Sequence, residues 1–315
     1  MQNILVTGGA GFIGSNLVSA LLDDPRVGKV RVLDNLATGF FHNIKEFSNH
    51  SKFEFFEGDI RDFDTCLKAT EGIHLISHQA ALGSVPRSIK DPITTNAVNI
   101  DGTLNIFHAA VQHKVKRVVF AASSSTYGDS DGLPKVENVI GKPLSPYAVT
   151  KYVNELYADI FAKTYDFEYI GLRYFNVYGP KQDPNGAYAA VIPLFFKAAI
   201  EGEGPIINGD GTNSRDFTYV DNAIEANVLG LFTENLEAIN QVYNIACGER
   251  TTLNELWGNI KSVSKCNAEA THGPNRSGDI PHSLASIEKA QNLLKYTGKV
   301  KLREGLDRAY HFYNV

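Results

Sequence analysis

"NILVTGGAGFIGSNLVSALL", residues 3–22, decides the fold. Its opening, "NILVTG" (3–8), is a short apolar run closed by glycine and reads as a buried strand. Residues 12–23 then repeat apolar side chains at helical spacing. Between strand and helix, "TGGAGFIG" (7–14) sets glycines at 8, 11 and 14. The first permits a tight turn, the next lets backbone approach a pyrophosphate, and the third lets the helix pack closely. The helix start, with Phe12 and Ile13, offers unpaired N–H groups to phosphate. A glycine triplet alone is weak evidence; the flanking strand, the helix and a distant acid make it strong. Asp34 is that acid, at the end of "VRVLD" (30–34) and followed by Asn35. A carboxylate there accepts bonds from adenosine ribose hydroxyls, which favours NAD and repels a 2′-phosphate. Asp59, after the third strand, suits the adenine side, with Ile60 next to it, or is a strand-end turn residue.

The pattern continues outward. "FEFFEGD" (53–59), "HLISHQAA" (74–81), "RVVFAASS" (117–124) and "YIGLRYF" (169–175) read as further buried strands. Amphipathic stretches at 62–71, 96–113 and 146–165 separate them. Such alternation predicts an α/β fold with a doubly wound parallel sheet. After residue 176 glycine and proline gather in 179–186 and 202–213, as in loops over a pocket. "QVYNIA" (241–246) rejoins the sheet, and a helical region at 284–313 closes the chain. The expected division is a Rossmann domain at 1–178 plus 219–247 and a smaller mixed lobe at 179–218 plus 248–315.

Of the 315 residues, 43% are hydrophobic and 21% charged, ordinary globular material. The net charge of −5, with no Lys/Arg run, argues against nucleic acid or an anionic membrane as partner. No signal peptide or membrane-length apolar run is evident. Cys66, Cys247 and Cys266 are far apart and odd in number, so neither a disulfide framework nor a metal site is expected; a reducing cytoplasm fits.

"SPYAVTK" (145–151) puts Tyr147 and Lys151 on one helical face. An ammonium beside a phenol lowers its pKa, and the expectation is that Lys151 does this to Tyr147 so that it trades a proton near neutral pH.

Together these residues resemble the extended short-chain dehydrogenase/reductase family, in its nucleotide-sugar branch. The resemblance runs along the whole chain: "TGGAGFIG" (7–14), "GDIRD" (58–62), "HQAA" (78–81), "SSSTYG" (123–128), "YAVTK" (147–151), "RYFNVYGP" (173–180) and "RDFTYVDN" (215–222). It implies that Tyr147 and Lys151 are catalytic beside the nicotinamide, whose positive ring together with the ammonium lowers the phenol, with Ser123 as the catalytic serine. Ser124 is a further substrate-side candidate or a polar strand-end residue, like Ser125. Gln79, Ala80, Ala81, Asn99 and Tyr174 join the implied cofactor set.

The reaction is narrowed by absences within that resemblance. Family dehydratases and decarboxylases carry an acid just after the fifth strand, where this chain has Ser124-Ser125-Thr126-Tyr127. A reductase would favour NADPH, which Asp34 disfavours. What remains is C4 epimerisation, in which hydride leaves the sugar, the 4-keto sugar turns, and hydride returns to the other face. The resemblance further implies a uridine diphosphate clamp from Asn176, Arg215, Arg276 and Asp279, a sugar pocket from Gly83, Ser84, Gln182 and Ala190, and Val191 and Asn208 as further substrate-binding residues. Arginine suits phosphate because its fork donates two bonds.

A finer likeness, in "HQAALGSVPRSIKDP" (78–92) and "GDIPHSLASI" (278–287), is to bacterial UDP-N-acetylglucosamine 4-epimerases. Ser283, small where other relatives carry tyrosine, leaves room for an N-acetyl group. Arg87 either grips a uronic carboxylate or is a loop arginine. A UDP-uronic acid epimerase and a non-catalytic NAD-binding sensor are the alternatives. The same likeness implies a homodimer in which helices 96–113 and 146–165 form a four-helix bundle.

Overall fold

The computed structural model describes residues 1–186, 189–274 and 280–314. Six parallel strands follow one another from the N-terminus: β1 (Gln2–Thr7), β2 (Val27–Asp34), β3 (Phe53–Glu57), β4 (Leu75–His78), β5 (Arg117–Ser123) and β6 (Glu168–Tyr174). The strand Gln241–Ile245 adds to the outer edge of β6, so the sheet has seven strands, the last beyond β6, then β5, β4, β1, β2, β3. The order reverses between β1 and β4, the switch point where such sheets open a crevice at the strand ends.

The sheet is buried on both faces, so its strands alternate between two cores rather than between core and solvent. Ile4 and Val6 join one core with Leu17, Val18 and Leu21. Leu5 joins the other with Ile106, Phe107, Val118 and Phe120. The helices on these faces are α1 (Phe12–Asp23), α2 (Phe63–Thr70), α3 (Val85–Lys90), α4 (Pro92–Asn96), α5 (Gly102–Gln112) and α6 (Pro146–Thr164). The rest are α7 (Val191–Glu201), α8 (Val220–Phe232), α9 (Leu253–Ser264) and α10 (Leu302–Tyr313). The first core continues past the sheet into Ile192 and Phe195 of α7, Trp257 of α9 and Leu306 of α10.

The doubly wound sheet and the return of 241–246 to it match the expectation. Two helical readings do not. Residues 96–113 are not one even helix: Ala97–Asp101 form a π-turn before α5. That turn keeps Asn99 inward, and π-bulges of this kind gather near functional sites. Residues 284–313 break as well, because Lys295 adopts the left-handed conformation (φ 63°) and ends the first segment before α10. No helix among the described residues is long and apolar enough to cross a membrane.

Candidate active site

Every parallel strand of the sheet ends in the same direction, so the loops after β1, β2, β3, β4 and β5 surround one cleft of about 680 Å³. At its outer end lie Gly8, Gly11, Phe12, Ile13, Gly14, Asp34, Asn35, Asp59 and Ile60. Gly8 has φ +68°, and a Cβ there would sit 2.7 Å from the Ala80 backbone. A Cβ at Gly14 would fall 2.1 Å from the Gly8 carbonyl oxygen. Only glycine lets the turn and the start of α1 come together.

The Asp34 carboxylate holds this loop in shape. Oδ2 accepts from the Ala10 N–H at 2.9 Å and Oδ1 from the Leu36 N–H at 2.8 Å. Burial raises its pKa, against the pull of those two bonds. Asp59 differs: Arg61 grips it at 2.6 Å, Asn35 donates to it at 2.9 Å, and its carboxyl falls to about 2.

The inner end holds Ser123, Ser124, Tyr147 and Lys151. Ser145 caps α6, accepting from the Ala148 N–H at 3.1 Å, with Pro146 at the first turn. That cap sets the helix start so that Tyr147 and Lys151, one turn apart, both reach the cleft. Lys151 Nζ donates to the Ala121 carbonyl at 2.8 Å. Burial pushes this ammonium down to about 8, while Glu155, one turn further, pulls it up. The Tyr147 phenol is raised by burial, and the neighbouring Ser123 hydroxyl pulls it back. The expectation that Lys151 lowers the Tyr147 pKa is therefore corrected. The Lys151 ammonium is directed at the Ala121 carbonyl, and within the protein burial and the Ser123 hydroxyl, not the ammonium, set the phenol.

Gln79, Ala80, Ala81, Gly83, Ser84, Tyr174, Asn176 and Gln182 also line the cleft. Ser84 (φ 94°) and Asn176 (φ 39°) hold left-handed conformations unusual for non-glycine residues, which concentrate at functional sites. Asn99 does not line it. Its side chain is buried and bonds the Leu82 N–H at 2.7 Å, the Leu82 carbonyl at 3.1 Å and Thr150 at 3.1 Å. It ties the loop after β4 to α6 and acts behind the wall. Ala190 and Val191 start α7, Asn208 is exposed, and Arg215 and Ser283 lie in neighbouring segments; none is in the described wall. Arg276 and Asp279 lie outside the described residues.

Three groups escaped the sequence reading. His78, pushed to about 3 by burial, bonds Thr7 at 2.7 Å and Thr103 at 2.9 Å and so joins the ends of β1 and β4 to α5. Arg173 and Glu155 form a buried pair at 2.7 Å below Lys151. Asp216 is wholly buried in a loop. Glu155 stands one turn beyond Lys151, and His78, Arg173 and Asp216 open or lie within "HQAA", "RYFNVYGP" and "RDFTYVDN", but their partners are remote in sequence. No cluster of potential metal ligands occurs among the described residues.

A glycine-cradled crevice at a sheet switch point, with a tyrosine, a lysine and a serine at its inner end, defines a dinucleotide-binding α/β protein with proton-transfer groups in its cleft. More narrowly, the chain belongs to the NAD dependent epimerase/dehydratase family, whose model matches residues 4–246. It is 38% identical over 311 residues to a putative UDP-glucose 4-epimerase of Methanocaldococcus jannaschii, covering 98% of this chain and 97% of that one. It resembles the UDP-N-acetylglucosamine 4-epimerase of Methanobrevibacter ruminantium (TM-score 0.93, 39% identity), solved with UDP-N-acetylmuramic acid, over 99% of this chain and 98% of that one. It also resembles the UDP-glucuronic acid 4-epimerase of Bacillus cereus (TM-score 0.91, 32% identity), solved with UDP-glucuronic acid and NAD, with the same coverage. The residues here fit NAD: the cradle excludes any Cβ at Gly8 and Gly14, and Asp34 presents a carboxylate at the end of β2.

Proposed function

We propose that this protein is an isomerase that inverts C4 of UDP-sugars, acting on the N-acetylglucosamine/N-acetylgalactosamine pair and also on the plain hexose pair. One observation carries the reading. The inner half of the cleft holds Tyr147, Lys151 and Ser123 but no carboxylate, since Asp34 and Asp59, the two acids of the described wall, both belong to the outer loops. Elimination of water needs an added acid/base pair; C4 inversion does not.

The cofactor, when bound, would supply the hydride acceptor and donor and, through its positive ring, charge that favours the ionised Tyr147 phenol against burial. The chain's own residues manage the proton. Tyr147 Oη takes the proton from the sugar O4 and later returns it, with Ser123 Oγ sharing the hydrogen bond. Lys151 keeps positive charge at that end of the cleft below about pH 8. Its fixed bond to Ala121 holds that charge in place. Asp34 orders the glycine loop for the cofactor, and Asp59 and Asn35 bound the adenine side. Asn176, Asn208 and Arg215, with Arg276 and Asp279, hold the uridine diphosphate, while Gly83, Ser84, Gln182, Ala190 and Val191 leave the sugar room to turn. Ser283, whose N–H donates to the Ser214 carbonyl at 3.0 Å, belongs to the segment beside Arg215. Its small side chain supports the N-acetylated pair.

The division into 1–178 plus 219–247 and 179–218 plus 248–315 follows the same assignment of cofactor and substrate roles. A homodimer is proposed as well. Val149, Leu156 and Ile160 form an exposed apolar stripe on α6, flanked by exposed Ile89 and Ile93 of α3 and α4. The pairing surface thus centres on α6 with α3 and α4 rather than on α5. Ile160→Lys should then give a monomer in sedimentation analysis.

Incubating the protein with a panel of UDP-sugars and separating the epimers by chromatography tests the reading. Interconversion of the N-acetylated pair is expected. Turnover of UDP-glucuronic acid alone would move the assignment to the uronic acids, with Arg87 as the carboxylate partner. Bound NAD without turnover of any sugar would leave a sensor.

A further inference from the structure

We infer that Asp216 is the positioning residue of the substrate end of the cleft: its carboxylate fastens three remote chain segments into the surface that carries Arg215, Asn176 and Ser283. The inference rests on the UDP-sugar reading above and deepens it.

Asp216 lies between the short strands Ser214–Arg215 and Thr218–Tyr219 and has no solvent exposure. Oδ1 accepts from the Cys247 N–H at 3.0 Å, just past the edge strand of the sheet. Oδ2 accepts from the Gly248 N–H at 3.1 Å and the Ala285 N–H at 3.2 Å. Three backbone donors on one buried carboxylate amount to a junction between residues 214–218, 247–248 and 285, and a buried acceptor set of this kind is costly to leave half-made.

Two of the fastened segments carry a proposed substrate contact, and a third contact bonds to the Asp216 backbone itself. Arg215 is the next residue, and its guanidinium donates to the Ser214 and Pro281 carbonyls at 3.0 and 3.2 Å. Asn176, in its left-handed conformation on the cleft wall, donates from Nδ2 to the Asp216 carbonyl at 2.9 Å. Ser283 is two residues before Ala285, and the Ser214 N–H donates to the Pro281 carbonyl at 2.9 Å. None of these contacts touches the cofactor loops. Removing the junction therefore loosens the substrate end and leaves the dinucleotide end intact.

The charged form of Asp216 is sensitive to pH. Burial raises its carboxyl to about 6 against the three N–H bonds and Lys301. Lys301, the Cys247 thiol and the Tyr296 phenol face it, Glu249 pairs with Lys301, and His282 bonds Ser214 next door at 2.9 Å. Protonation removes acceptor capacity at the junction, so affinity for the substrate should fall as pH drops through about 6.

The test measures binding of UDP-glucose by calorimetry, because its diphosphate diester does not titrate in this range. For Asp216→Asn, we expect Kd to rise about tenfold or more at pH 7.5. NAD content per chain should stay at the wild-type value, and kcat at saturating sugar nucleotide should stay within about threefold. Wild-type affinity should weaken between pH 7.5 and 5.5, His282→Asn should keep that weakening, and Asp216→Asn should lack it. Unchanged UDP-glucose affinity in Asp216→Asn overturns the inference, and so does parallel loss of NAD and UDP-glucose, the mark of a fold staple. If the variant does not fold, a wild-type affinity that stays flat from pH 7.5 to 5.5 overturns it instead. Wild-type protein that binds no UDP-glucose at any pH overturns the UDP-sugar reading itself, and the inference with it.

Discussion

At the outer end of the cleft the wall comes from residues 8–14, 34–35 and 58–61, three runs at the tips of the neighbouring strands β1, β2 and β3. At the end proposed for the substrate, Asn176, Arg215 and Ser283 come from loops and two-residue strands, and a single buried aspartate links their segments. The first region is shaped by local backbone requirements: a positive φ, a close approach, a strand end. The second is shaped by side-chain to backbone bonds across 31 to 69 residues of sequence. Local construction suits the proposed retention of the cofactor through each cycle, and loop construction the proposed turning of the sugar in its pocket.

If the inner tyrosine belongs to chemistry and the outer loop to retention, the two functions separate by mutation. Tyr147→Phe should lower turnover by about 10²–10⁴, as for loss of a general acid/base. Its NAD content and melting temperature should stay near wild type. Chromatographic assay of epimer formation checks this, and near-normal turnover would remove Tyr147 from the mechanism.

Gly14→Ala should do the reverse. Its Cβ meets the Gly8 carbonyl, so the loop must shift, at a cost of about 1–3 kcal/mol for overpacking. The readout is the NAD released on denaturing the purified protein: wild type should yield roughly one per chain if filled, and the variant far less. A fully loaded variant would mean that the loop tolerates side chains and that the cradle is not what holds the cofactor.

Lys151→Met sharpens the cost of the inner site. The ammonium falls from its ordinary 10.5 to about 8 on burial, so the folded state binds fewer protons than the unfolded chain between those values. Stability from this group is therefore least below about pH 8 and rises up to about pH 10.5. Lys151→Met should be inactive yet more stable at pH 7. The gain should be on the order of 1–3 kcal/mol, less than the full shift because the bond to Ala121 is lost. Denaturant titration at pH 7 and pH 10.5 checks this, and the gain should vanish at the higher pH. A variant less stable at both values would show that the lysine is a structural tie.

Ser283→Tyr probes the substrate end and has the smallest expected effect. Filling the space should cost about 1–3 kcal/mol of transition-state binding and so reduce kcat/KM on the N-acetylated pair roughly five- to 150-fold, with the plain hexose pair largely spared. Equal losses on both pairs would mean that position 283 does not read the C2 group.

The sequence by itself determined the parallel sheet, the glycine cradle, Asp34 and the Tyr147–Lys151 helical pair. In each case the signal is a residue type at a fixed short spacing, and the physics that demands it acts within a turn or a strand end. Tertiary structure alone decided that burial raises the Tyr147 phenol, that Lys151 is aimed at Ala121, and that Asn99 acts from behind Leu82. It also brought His78, the Arg173–Glu155 pair and Asp216 to their partners. Desolvation depends on everything packed around a group, and bonds such as Asp216 to Ala285 join residues whose spacing carries no period. Such relations have no local signature, so only the folded chain could express them.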